Sequence, residues 1–138
     1  MNRSMTLFLA FPLALAAQVP SREPLCLRVV YDSAQRGAAS SMFPPVIILM
    51  PGPNRGEVRL ADSSGFLYYV PGNGSNVWSY RDGHYSLMIE GGESGVRFSL
   101  DVRGDSLVGS ARHYTDNASA PEPTMRAIAT RHACPNRE

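Results

Sequence analysis

The sequence predicts an all-β domain: an antiparallel meander of about eight strands, closed or nearly closed into a barrel. Three observations carry this. Eight or nine short segments with strand character recur at roughly 8- to 12-residue spacing, with turn residues between them. Nowhere along the chain does an amphipathic helical stripe run for as many as eleven residues. Cys26 and Cys134 stand near the two ends of the strand-bearing region, so a bridge between them would join the first and last strands, and barrel closure removes exposed edges. A two-sheet sandwich is the alternative packing of the same strands.

The chain opens on Met1-Asn2-Arg3-Ser4, followed by a mostly apolar run from Met5 to Ala17. One basic residue ahead of such a run, with small residues at Ala14 and Ala16, reads as a secretory signal peptide over residues 1–17. A spanning helix needs about 20 apolar residues, and Pro12 interrupts this run, so no membrane span is expected. A lipoprotein would carry cysteine directly after the cut, where this chain has Gln18. The expectation is a single β domain over residues 18–138, secreted or periplasmic and not lipid-anchored.

The first strand is Leu25–Tyr31, where Leu25, Leu27, Val29 and Tyr31 share one face. Residues 32–41 are small and polar and read as a loop. The apolar run Phe43–Met50 begins with two prolines, so its strand starts near Val46. The Pro51–Gly56 turn then pairs it with Glu57–Ala61 as a hairpin. A further strand is expected at Phe66–Val70, which is aromatic-rich. Val77–Tyr80, the turn Arg81-Asp82-Gly83 and His84–Glu90 follow. Val96–Arg103 alternates without a fault and returns through Gly104-Asp105 into Ser106–Tyr114, a hairpin. A last strand is expected over Met125–Cys134.

Composition narrows the chemistry. All 13 basic residues are arginine, so there is no lysine for a Schiff base or a Walker-type phosphate loop. Removing residues 1–17 takes away only Arg3, which leaves 12 arginines against 12 acidic residues. With no concentrated basic stripe, nucleic acid is not an expected partner. In an oxidising compartment, Cys26 and Cys134 are expected to form one disulfide rather than a metal site, since structural zinc takes four ligands at short spacings.

An export signal, a meander of about eight strands, a tryptophan-bearing strand and a loop-closing disulfide resemble the small secreted barrels of the lipocalin and avidin-like (calycin) group. The resemblance is architectural and covers most of residues 18–138. The lipocalin Gly-x-Trp near the first strand is absent, and Trp78 stands mid-chain instead. The segment Trp78–Asp116, with its Gly-Asp-Ser-Leu-Val-Gly turn and strand, also resembles exported proteins of GC-rich bacteria that have no activity to lend.

Catalytic signatures are weak. Gly92-Glu93-Ser94-Gly95 misses the nucleophile-elbow spacing and leads into a strand rather than a helix. His84, His113 and His132 all fall in expected strands, but no ligand spacing fixes them as a metal site. Asp82, Glu90, Glu93, Asp101 and Asp105 occupy turns or polar strand faces, which suits solubility better than paired-acid catalysis. Arg103-Gly104-Asp105 is explained by what a tight turn demands. Asn73-Gly74-Ser75 and Asn117-Ala118-Ser119 match the glycosylation acceptor pattern, which would be inert in a bacterium.

What remains is the aromatic inventory on adjacent strands. Trp78, Tyr80, Tyr85 and Phe98 are the candidate lining of a barrel mouth able to hold a small apolar ligand. The expected function is a non-enzymatic, monomeric, exported barrel that binds such a ligand, with no cofactor or metal. The alternative is a structural or protein-interaction module of the cell envelope, without an internal ligand site.

Overall fold

The structure, a computed structural model, describes residues 22–32, 43–61, 74–91, 93–116 and 124–135. The strands are β1 (Leu25–Tyr31), β2 (Val46–Leu49), β3 (Arg55–Leu60), β4 (Val77–Arg81), β5 (His84–Gly91), β6 (Ser94–Arg103), β7 (Ser106–Thr115) and β8 (Thr124–Arg131). Each pairs antiparallel with its sequence neighbour, and β1 pairs antiparallel with β8, so the eight-strand meander closes into a barrel. The sandwich alternative is thereby excluded. The expected strand Phe66–Val70 lies outside the described residues, as do the signal segment, Asn73 and Asn117. The ladder passes directly from β3 to β4.

Turn chemistry sets the hairpins. Asp82 and Gly83 both have positive φ, 49° and 79°, between the paired residues Arg81 and His84. Two consecutive positive φ values are the mark of a type I′ turn, whose twist matches that of the flanking strands. Between β6 and β7 only the first central residue, Gly104, has positive φ, at 62°, as a type II′ turn requires. These two turns hold the longest strands in register.

Alternation then decides what faces the lumen. Along β6, Val96, Phe98 and Leu100 are buried while Arg97, Ser99 and Asp101 are exposed. Repeated around the barrel, this places Leu27, Ile47, Val58, Trp78, Tyr85, Ile89, Leu107 and Ala127 in one core without exposed surface. Large inward side chains on β4 and β5 are matched by small ones, Gly109, Ala111, Ala127 and Ala129, on β7 and β8. An eight-strand barrel is just wide enough for side chains to fill. Trp78 needs one further concession: its indole lies over Gly56, where a Cβ would stand 2.7 Å from Nε1. From that position its N–H donates to the Met50 carbonyl at 3.0 Å.

Asn76 ties three strands at the entry to β4. Its buried side-chain oxygen accepts the Glu90 N–H at 3.0 Å, and its carbonyl accepts the Val58 N–H at 2.9 Å. At the seam, the His132 N–H donates to the Cys26 carbonyl at 2.8 Å, and Cys26 and Cys134 form the expected disulfide. The last strand corrects its expected span. β8 ends at Arg131 rather than Cys134, because the chain leaves the ladder there to bring Cys134 onto Cys26.

Candidate functional site

The four aromatics singled out from the sequence come together. Tyr80 and Tyr85 are directly opposite on β4 and β5 with ring centroids 4.8 Å apart, and Trp78 lies 6.3 Å from Tyr85. Trp78 and Tyr85 have no exposed surface, Phe98 keeps 2%, and Tyr80 is half-buried at the edge of the cluster. Inside, they act as core. The Tyr85 hydroxyl has no hydrogen-bond partner, and burial together with the neighbouring Tyr80 pushes its pKa up to about 12.

The histidines do not converge. His113 points into the barrel, opposite Val96, while His84 stands on the outer wall and His132 follows β8. Among the described residues no three metal-binding side chains gather. Ser94 pairs with Gly91 at the β5–β6 corner, and Asp105 sits in the turn expected for it.

The outer wall of β4 to β7 holds what sequence reading did not find. Strand register lines its outward side chains into three cross-strand rows. The first runs Val77, Met88, Arg97, Arg112, the second Ser79, Ser86, Ser99, Ser110, and the third Arg81, His84, Asp101, Val108. The first two rows line a groove of about 410 Å³. Its apolar end is Met88 and Val77, the latter 42% exposed. Its cationic end is the pair Arg97 and Arg112, directly opposite each other on β6 and β7. Arg97 stacks over the Tyr114 ring, 4.6 Å from its centroid.

One edge of this groove carries a hydrogen-bonded relay. His84 Nδ1 lies 2.8 Å from Asp101 Oδ1, and His84 Nε2 lies 3.2 Å from Ser99 Oγ. A carboxylate only accepts, so Nδ1 carries the proton toward Asp101, and in the neutral ring Nε2 is left to accept from the Ser99 hydroxyl. The His84 hydrogen bond holds the Asp101 carboxyl below its usual value, with the charge of Arg103 acting in the same direction. Only register could reveal this grouping, since His84 and Asp101 are 17 positions apart.

Fold and wall together define an eight-strand, all-antiparallel closed barrel with a disulfide at its seam, an architecture consistent with the calycin-like group. No protein-family model, curated protein or solved structure matches the chain.

Proposed function

We propose that this chain is an exported binding protein that holds a small amphiphilic carboxylate in the groove on the outer wall of β4 to β7. The observation that carries this reading is the pairing of like charges. Arg97 and Arg112 stand directly across from each other, where like charges repel and an anion bound between them would relieve the repulsion. Beside them Val77 and Met88 offer an apolar bed for the remainder of the ligand, and the serine row offers hydroxyl donors and acceptors. The Cys26–Cys134 disulfide supports an oxidising compartment, in keeping with the secretory reading of residues 1–17. The buried state of Trp78, Tyr85 and Phe98 supports a filled lumen, which favours the outer groove over the barrel interior as the ligand's place.

The test is an NMR titration of the oxidised protein with sodium octanoate. Amide shifts centred on Val77, Met88, Arg97 and Arg112, lost in the double variant Arg97→Gln/Arg112→Gln, are the expected outcome. Shifts centred on Trp78, Tyr80, Tyr85 and Phe98 would overturn the wall site and restore a luminal one.

A second reading, docking on an envelope protein, has its own observation. Val30 and Ile128 are paired on β1 and β8, 51% and 37% exposed, and Val108 continues the row on β7. Such a strip on the outer wall suits a protein contact. It is the surface to test if octanoate leaves every amide unmoved.

A further inference from the structure

We propose that the outer groove is also a hydrolytic site, in which Ser99 attacks a carboxylic ester with His84 as general base and Asp101 as its positioning residue. This deepens the groove reading, because the acid released is the amphiphilic carboxylate proposed above as ligand.

The geometry meets the requirements of an activated nucleophile in turn. Ser99 Oγ lies within reach of a ring nitrogen, at 3.2 Å, and the other nitrogen is held by a carboxylate at 2.8 Å. The backbone builds this without strain. Ser99 and Asp101 are alternate residues of β6 and so face the same side, while His84 heads β5 directly opposite Asp101. The β5–β6 ladder then brings the imidazole, at the start of its strand, between the two. Ser99 lines the groove, so a bound ester presents its carbonyl to a hydroxyl already paired to its base.

Charge that develops on the carbonyl oxygen needs donors other than backbone amides, because the N–H groups of these strands are committed to the ladder. Hydroxyls supply them. Ser86 and Ser110 stand directly across from Ser99 on β5 and β7, and side chains so placed approach within about 5 Å at Cβ. Arg112, diagonal to Ser99 across β6 and β7, adds a cation.

The reaction balances with water as the only co-reactant. Ser99 Oγ forms a bond to the carbonyl carbon while its proton passes to His84 Nε2. The carbon–oxygen bond to the leaving alcohol breaks, and His84 returns the proton to that oxygen. Water then attacks the acyl-serine, giving its proton to His84. The Ser99–acyl bond breaks, the acid leaves, and the proton returns to Ser99 Oγ.

The experiment combines a fluorophosphonate probe, p-nitrophenyl butyrate turnover and the octanoate titration, all on the oxidised full-length domain. Expected are a phosphonylated peptide containing Ser99, ester turnover abolished by Ser99→Ala, and a fall of about 100-fold in His84→Gln, the scale of general-base assistance. Asp101→Asn would lower kcat by less than this with KM unchanged, and Asp101→Glu would restore part of the loss. A purely structural role for Asp101 would instead weaken octanoate binding and raise KM together with the fall in kcat, with no rescue by glutamate. Wild-type turnover no faster than Ser99→Ala, or labelling spread evenly over surface serines, would overturn the proposal. Octanoate binding that persists in Ser99→Ala without turnover in the wild type would overturn catalysis and leave the groove reading standing. Labelling and turnover without octanoate binding would support catalysis and remove the carboxylate-binding reading.

Discussion

Burying a phenol without a hydrogen-bond partner costs about 1–3 kcal/mol, and Tyr85 is such a case. Its ring fills the lumen beside Tyr80 and Trp78, while its hydroxyl has no partner. Tyr85→Phe keeps the ring and removes the unmet group, so it is expected to raise the urea midpoint at pH 7 by the equivalent of about 1 kcal/mol. Alkaline pH gives a second readout. In the unfolded chain a tyrosine ionises near its ordinary value of about 10, whereas folded Tyr85 stays protonated to about 12. Stability is therefore fully present below pH 10 and is lost as pH rises toward 12, and Tyr85→Phe should flatten part of that loss. Tyr31, half-buried and donating to the Pro44 carbonyl at 2.6 Å, and Tyr114, partly desolvated on the outer wall, are held neutral in the same direction and contribute to the remainder. A destabilised Tyr85→Phe would show that the hydroxyl is engaged after all. Alternation alone made the inward placement of Trp78, Tyr85 and Phe98 legible. Whether inward aromatics fill a lumen or line it depends on the opposite wall, and Gly109, Ala111, Ala127 and Ala129 took on that meaning only when the barrel closed.

Hairpins were the elements easiest to read, because their turns leave the chain little choice. Asp82-Gly83 and Gly104-Asp105 are residue pairs that tolerate or require positive φ, flanked by alternating strands. Gly104 is the sharper test: its φ is 62°, and a Cβ there would meet open space, so replacement acts through backbone conformation alone. Gly104→Ala is expected to cost about 1–2 kcal/mol, read by chemical denaturation. An unchanged midpoint would mean that the turn readily adopts another type. The relay on the outer wall was illegible for a related reason. Each of its three residues sits at an ordinary polar position of a strand or turn, and sequence reading placed Asp101 among the solubilising acids and His84 among unconnected histidines. Only the β5–β6 ladder, counted back from Gly91 opposite Ser94, brings His84 opposite Asp101 and Ser86 opposite Ser99. A slip of one residue would turn those side chains inward, which is why function on a sheet face follows from register rather than from motif.

At the scale of the whole molecule, closure rests on one seam. β1 meets β8 from Leu27 opposite Arg131 to Tyr31 opposite Ala127, and the disulfide joins the same two strands just beyond, across a sequence separation of 108 residues. The ladder and the bridge act on different states. Ladder hydrogen bonds stabilise the folded barrel, whereas the covalent link chiefly restricts the unfolded chain, and a loop of this length corresponds to about 4–5 kcal/mol in the chain-entropy model. Because the first and last strands are also the most distant in sequence, their pairing carries the largest loop-closure entropy of any in the meander. Cys26→Ala/Cys134→Ala is therefore expected to lower unfolding free energy by about 4–5 kcal/mol while leaving the β5–β7 amides the last to exchange with solvent. In the same variant the β1–β8 amides should exchange first. Uniform weakening of all eight strands would instead show that the barrel opens only as a unit. A loss below about 1 kcal/mol would place the seam's strength in the ladder and the packed lumen, with the unfolded chain already compact enough to hold its ends together.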